Sequence, residues 1–180
     1  MIQPQLAGLL DRWGWAQRAE HVLERAGSRA TSLLLVAVDG FHRITEAHGQ
    51  LAGDMVLRGV LTALRGALRA TDLAGRHEGH GGDEVLVLLP ARDRQLGELI
   101  ARRIQSRVRR AVIPVRTAGG GAAVITSLAT PVGIAVSDPS TARPLTLTEL
   151  LNQADAALLQ ARTSGGEAIV VAGGGVRLAG

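Results

Sequence analysis

The sequence has no cysteine, which excludes disulfides and thiolate metal sites and agrees with a cytoplasmic protein. It also has no lysine: all 20 basic residues are arginine. Trp13, Trp15 and Phe41 are the only aromatic residues, too few to build a base-stacking platform for single-stranded nucleic acid. No apolar run is long enough to cross a bilayer. Met1-Ile2-Gln3-Pro4 is neither basic nor followed by the apolar core of a signal peptide. A net charge of +4 is modest, so neither a membrane nor a nucleic acid is expected as partner. What remains is 180 residues with 46% apolar content, enough for one domain with a real core. We expect that domain over residues 1–172, with 173–180 as a flexible glycine-rich tail.

Apolar residues recur at helical spacing from Leu6 to Leu23, and Gly27 ends that helix. Ser32 to Val38 is wholly apolar after its first residue and reads as a central strand. A short helix covers Phe41 to His48, and a longer one starts near Asp54, a candidate N-cap. Leu73 onward and Val85 to Leu89 form a strand pair around a turn. The helix after Pro90 is expected to point Leu96, Leu99, Ile100, Ile104, Val108 and Val112 inward and to leave its arginine run as a solvated face. Strand material lies between Ala122 and Val136, with Pro131 arguing for an edge or a bulge. Thr146-x-x-Glu149 is a capping box that opens a helix, and a short strand follows at Ala168–Val171. Such alternation predicts a layered α/β sandwich around one sheet.

The chemistry gathers at the turn. Gly81 and Gly82 permit positive φ and close backbone approach, and Asp83 and Glu84 stand at the turn's mouth. Adjacent carboxylates are hard oxygen ligands suited to a divalent ion that carries phosphates. A solvated hairpin turn would use the same residue types. His77 and His80 flank Glu78 just upstream, but the zinc-protease spacing is absent, and an elongated hairpin tip is expected there.

Several ordered motifs resemble the GGDEF family, the diguanylate cyclases and their degenerate relatives. Leu6-Ala-Gly-Leu-Leu-Asp-Arg12 looks like the family's opening, and Val38 to Asp54 follows its Asp-x-Phe and Gly-Asp motifs. Arg69-x-x-Asp72 precedes Gly81-Gly82-Asp83-Glu84-Val85, and Ala154-Asp155-Ala-Ala-Leu158 looks like its Ala-Asp-x-Ala-Leu helix. The resemblance implies an α+β palm-like sandwich, with a central mixed five-stranded sheet flanked by helices and the Gly-Gly-Asp-Glu motif on a β-hairpin. It implies condensation of two GTP into cyclic di-GMP across a homodimer, with Mg2+ or Mn2+ neutralising the developing charge.

By the same resemblance, Asp83 and Glu84 are the catalytic and metal-binding carboxylates. Asp54, Gly81, Gly82, Thr45 and Arg162 are the nucleotide contacts, and Arg69 and Asp72 form the inhibitory product site. Three positions depart from the family. Its first-strand metal ligand falls on Ala37; Asp39, two residues on, is a candidate replacement about 6–7 Å further along the chain. Its guanine-binding Asn falls on Thr45, and a phosphate-binding Arg falls on Gly166. These departures predict an impaired cyclase that binds GTP or cyclic di-GMP as a regulatory module and reports through a protein partner, in which case it needs no metal. Two other readings are open: an active diguanylate cyclase, and a structural dimerisation domain that binds no nucleotide.

Overall fold

A computed structural model describes residues 12–77, 82–140, 143–174 and 176–177. The chain runs α1 (Arg12–Ala26), β1 (Thr31–Ala37), α2 (Phe41–His48), α3 (Gln50–Arg65), β2 (Leu73–His77), β3 (Glu84–Leu89) and α4 (Arg94–Arg110). It continues with β4 (Ile113–Arg116), β5 (Ala122–Ile125), β6 (Val132–Ser137), α5 (Leu147–Ser164), β7 (Ile169–Val171) and β8 (Val176–Arg177).

The main sheet has the order β2-β3-β1-β6-β7-β8. β1 lies inside it and pairs antiparallel with both β3 and β6, while β6 and β7 are parallel, so the sheet is mixed as expected. The five expected strands are joined by a sixth of only two residues at the edge. Because β1 is buried on both faces, its sequence from Leu33 to Ala37 is an unbroken apolar run rather than an alternation. Leu34, Val36 and Val38 face α2, α3 and α4, whereas Leu33, Leu35 and Ala37 face α1 and α5. Gly133 on β6 lets α5 approach closely: a Cβ there would stand 2.2 Å from the Ala154 carbonyl oxygen.

Five expectations change. Leu96, Leu99 and Val112, expected inward, are exposed, because Ile100, Ile104 and Val108, spaced four apart, take the inner face of α4. α3 begins at Gln50 behind Gly49, so Asp54 lies inside the helix and does not cap it. Pro131 is neither at an edge nor in a bulge; it precedes β6, an interior strand, and its carbonyl accepts the Ala37 N–H at 3.1 Å. A proline just ahead of the strand removes no ladder donor. The segment read as a flexible tail contributes β8, which pairs with β7. β4, which the sequence reading missed, pairs with β5 in a separate two-stranded sheet. Pro114 is tolerated there because both strands of a two-stranded ribbon are edge strands. The capping box forms as written, with Glu149 N–H donating to Thr146 Oγ1 and Thr146 N–H donating to Glu149 Oε2.

Candidate active site and an arginine groove

β2 and β3 form the hairpin, closed in register at His77↔Glu84. Gly82 adopts φ 71, the left-handed geometry the turn was expected to need; Gly81, Glu78 and His80 lie outside the described residues. Asp83 and Glu84 are both buried. The Val38 N–H donates to the Asp83 carbonyl at 3.2 Å, and Ala37 stands directly across the ladder from Glu84. The hairpin pair and the end of β1 are therefore adjacent.

Arg162, in the last turn of α5, reaches over this corner. Its Nη2 donates to Glu84 Oε1 at 2.8 Å and to Asp83 Oδ2 at 3.4 Å. His77 Nε2 is 3.8 Å from Glu84 Oε2, an oxygen that is buried without a hydrogen-bond partner among the described residues. Burial pushes the Glu84 carboxyl above its ordinary pKa, and the nearby Arg162 and His77 charges only partly offset that.

The donor set falls short of what a divalent ion takes. Position 37 carries no carboxylate, and both carboxylates of the pair are already engaged by one guanidinium. Asp39 does not complete the set: its Oδ2 lies 2.9 Å from where a Cβ at Gly166 would be, and among the described residues no three His, Asp or Glu side chains cluster as metal ligands. The residues present therefore do not fit a resident Mg2+ or Mn2+.

The expected base contacts lie on α2 and α3. Thr45 sits against Gly53, where an added Cβ would be 2.5 Å from Thr45 Cγ2, and Asp54 is the next residue along α3, half-buried. The Thr45 hydroxyl donates to the His42 carbonyl at 2.8 Å, a bond within its own helix.

A groove of about 1010 Å3 opens between α3, α4 and β4. Arg69, Arg92, Arg103, Arg107 and Arg110 line it, together with Ala63, Gly66 and Pro114 among others. Arg69 is exposed, as expected of a ligand contact. Asp72 is not: its side chain is 0% exposed, and Oδ2 accepts from the Arg69 backbone N–H at 2.7 Å and from Arg92 Nη2 at 3.1 Å. Arg69 thus faces solvent and Asp72 does not. The sequence reading assigned the arginines of α4 to a solvated face. Their common side was legible in the spacing of Arg103, Arg107 and Arg110, but the groove wall opposite was not. Arg92 precedes α4 and carried no signal.

A sequence model described as "Diguanylate cyclase, GGDEF domain" matches residues 3–168. The response regulator PleD of Caulobacter vibrioides is 31% identical over 173 residues, covering 94% of this chain and 36% of PleD. The cyclic di-GMP phosphodiesterase PdeR of Escherichia coli is 30% identical across 89% of this chain and 22% of PdeR. The isolated GGDEF domain of TpbB (YfiN) from Pseudomonas aeruginosa superposes with a TM-score of 0.76 at 29% identity, covering 95% of this chain and 94% of that one. The chain spans about a third or less of these two curated relatives, but nearly all of the isolated domain. Ordered motifs, mixed sheet, hairpin and matched profile agree: this chain belongs to the GGDEF domain family, that of the diguanylate cyclases.

Proposed function

We propose that this domain is an impaired cyclase that serves cyclic di-GMP signalling as a nucleotide-binding module. One observation carries the proposal: Asp83 and Glu84 are engaged by Arg162, opposite a strand position that holds Ala37. In the family's reaction a ribose 3′-hydroxyl attacks the α-phosphate of a second GTP, and the charge developing on the phosphates must be neutralised as pyrophosphate leaves. Here the carboxylates that would hold the neutralising cation are committed to an internal guanidinium. Arg162 is also the residue expected on the phosphates, so it cannot serve both without releasing the pair. Thr45 spends its hydroxyl proton within α2, so it cannot donate as the family's amide does, and Asp54 is the carboxylate proposed to read the guanine donor edge. Gly82 supplies bare backbone for a phosphate, and Gly81 is proposed to act with it.

The binding role falls to the arginine groove, where Arg69 is the proposed product contact and Asp72 borders it from within. The domain is proposed to act as a homodimer, since a symmetric product needs two facing half-sites, and to report bound ligand to a protein partner. Incubation with GTP and Mg2+ or Mn2+, with product detection, is expected to show turnover depressed by at least about 100- to 1,000-fold relative to an intact cyclase. Calorimetric titration with cyclic di-GMP is expected to show binding that Arg69→Ala weakens by roughly 5- to 150-fold. Robust synthesis of cyclic di-GMP would establish the active-cyclase reading instead. Absence of both turnover and binding would leave a dimerisation domain.

A further inference from the structure

A carboxylate is the side chain best suited to take guanine's N1–H and 2-amino donors together, because it presents only acceptors. In this chain the carboxylate that borders the groove is turned away from it. Asp72 Oδ2 accepts from the Arg69 backbone and from Arg92, and Oδ1 is buried with no hydrogen-bond partner among the described residues. Arg92 is itself only 3% exposed, so the ion pair is closed to solvent. Drawing Asp72 into the groove would leave the Arg92 charge buried and unpaired, which the low-dielectric interior penalises.

The described residues that line the groove include five arginines and no Asp or Glu. The side-chain oxygens that remain are single hydroxyls, which do not present the two side-by-side acceptors of a carboxylate: Thr62 Oγ1 donates to the Arg58 carbonyl at 2.9 Å, and Ser106 Oγ accepts from Arg110 Nη2 at 2.6 Å. Guanidinium groups fork onto phosphate oxygens of any nucleotide.

We infer that Arg92 withdraws Asp72 from recognition, so that the groove selects a ligand by its paired phosphodiester charges and not by the donor edge of guanine. The ligand class is then a cyclic dinucleotide, with little preference for base. This rests on the proposal that the groove binds cyclic dinucleotides at all. Arg92 becomes the specificity-determining residue, acting through Asp72.

The test is calorimetric titration of the full chain with cyclic di-GMP and with cyclic di-AMP. The dissociation constants are expected to lie within about tenfold of each other, since guanidinium contacts to phosphate carry no base information. A preference for guanine above about tenfold would overturn the inference, because a site that pairs guanine's donors rejects adenine far more strongly. Arg92→Met removes the buried partner, and Asp72 is expected to turn outward and raise the guanine preference about tenfold or more. An unchanged ratio in a folded Arg92→Met protein would also overturn it. Should that variant fail to fold, the wild-type ratio decides alone. Binding of neither ligand would refute the proposed function, and this inference with it; selective binding of cyclic di-GMP would refute this inference only.

Discussion

Replacing Arg162 by methionine tests whether its guanidinium is the counter-cation of the hairpin pair. The substitution keeps an unbranched apolar stem and deletes the charge that contacts Glu84 at 2.8 Å and Asp83 at 3.4 Å. Stripping one partner from a fully buried ion pair costs roughly 3–5 kcal/mol, mostly because the other charge is left desolvated. Arg162 is 36% exposed, however, so water screens the pair and enters when the arginine goes. Discounting for that screening leaves about 1–2 kcal/mol. For a chain of this size the melting temperature should fall by roughly 2–8 °C. The assay is urea unfolding of wild type, Arg162→Met, Glu84→Gln and the double variant, because only the cycle separates the pair from its surroundings. Coupling of about 1 kcal/mol is expected. Millimolar magnesium should leave the wild-type melting temperature unchanged, since a cation that binds only the folded state would raise it. Zero coupling, or wild-type stability in Arg162→Met, would show that the guanidinium does not neutralise the pair. A magnesium-dependent rise in the wild type would show that the carboxylates remain open to metal.

Ala37→Asp places a third carboxylate across from Glu84 at a position with no solvent exposure, so it should destabilise the fold and still yield no robust synthesis of cyclic di-GMP, as read by product chromatography. Gly133→Ala drives a Cβ to within 2.2 Å of the Ala154 carbonyl and 2.4 Å of the Leu158 nitrogen, both backbone atoms that a rotamer change cannot move. A loss of about 3 kcal/mol in urea unfolding, the upper part of the overpacking range, is expected. Glu149 has its pKa lowered to about 2 by the Arg143 hydrogen bond first and then by the Thr146 N–H. Because the folded value lies below the unfolded one, its contribution is present above the ordinary carboxylate range and is lost as pH falls toward about 2. Glu149→Gln should therefore melt below wild type at neutral pH and converge with it in strong acid, as followed by circular dichroism.

What could be read from the sequence depended on the range of the interaction that decided it. The hairpin around Gly82, the helix over Phe41–His48 and the Thr146–Glu149 capping box are set by residues within a few positions of one another. In such places side-chain type restricts backbone geometry directly. The unbroken apolar run of β1 likewise announced a strand buried on both faces. Asp54 shows the limit even of local reading: a good capping residue was available, yet α3 starts at Gln50, behind Gly49, and Gly53 lies within it against Thr45 and Phe41. Pro131 looked like an edge marker because sequence reveals the missing donor but not where the strand's ladder begins. The site went the same way. Sequence identified Asp83, Glu84, Asp72 and Arg162 as the charged residues of interest. Only the folded chain brought Arg162 onto the pair from 78 and 79 residues away, and Arg92 onto Asp72 from 20 away. Which counter-charge a buried carboxylate meets depends on how α5 and the α4 entrance pack against the sheet. Such long-range packing is a property of the whole core, and no local pattern of residues encodes it.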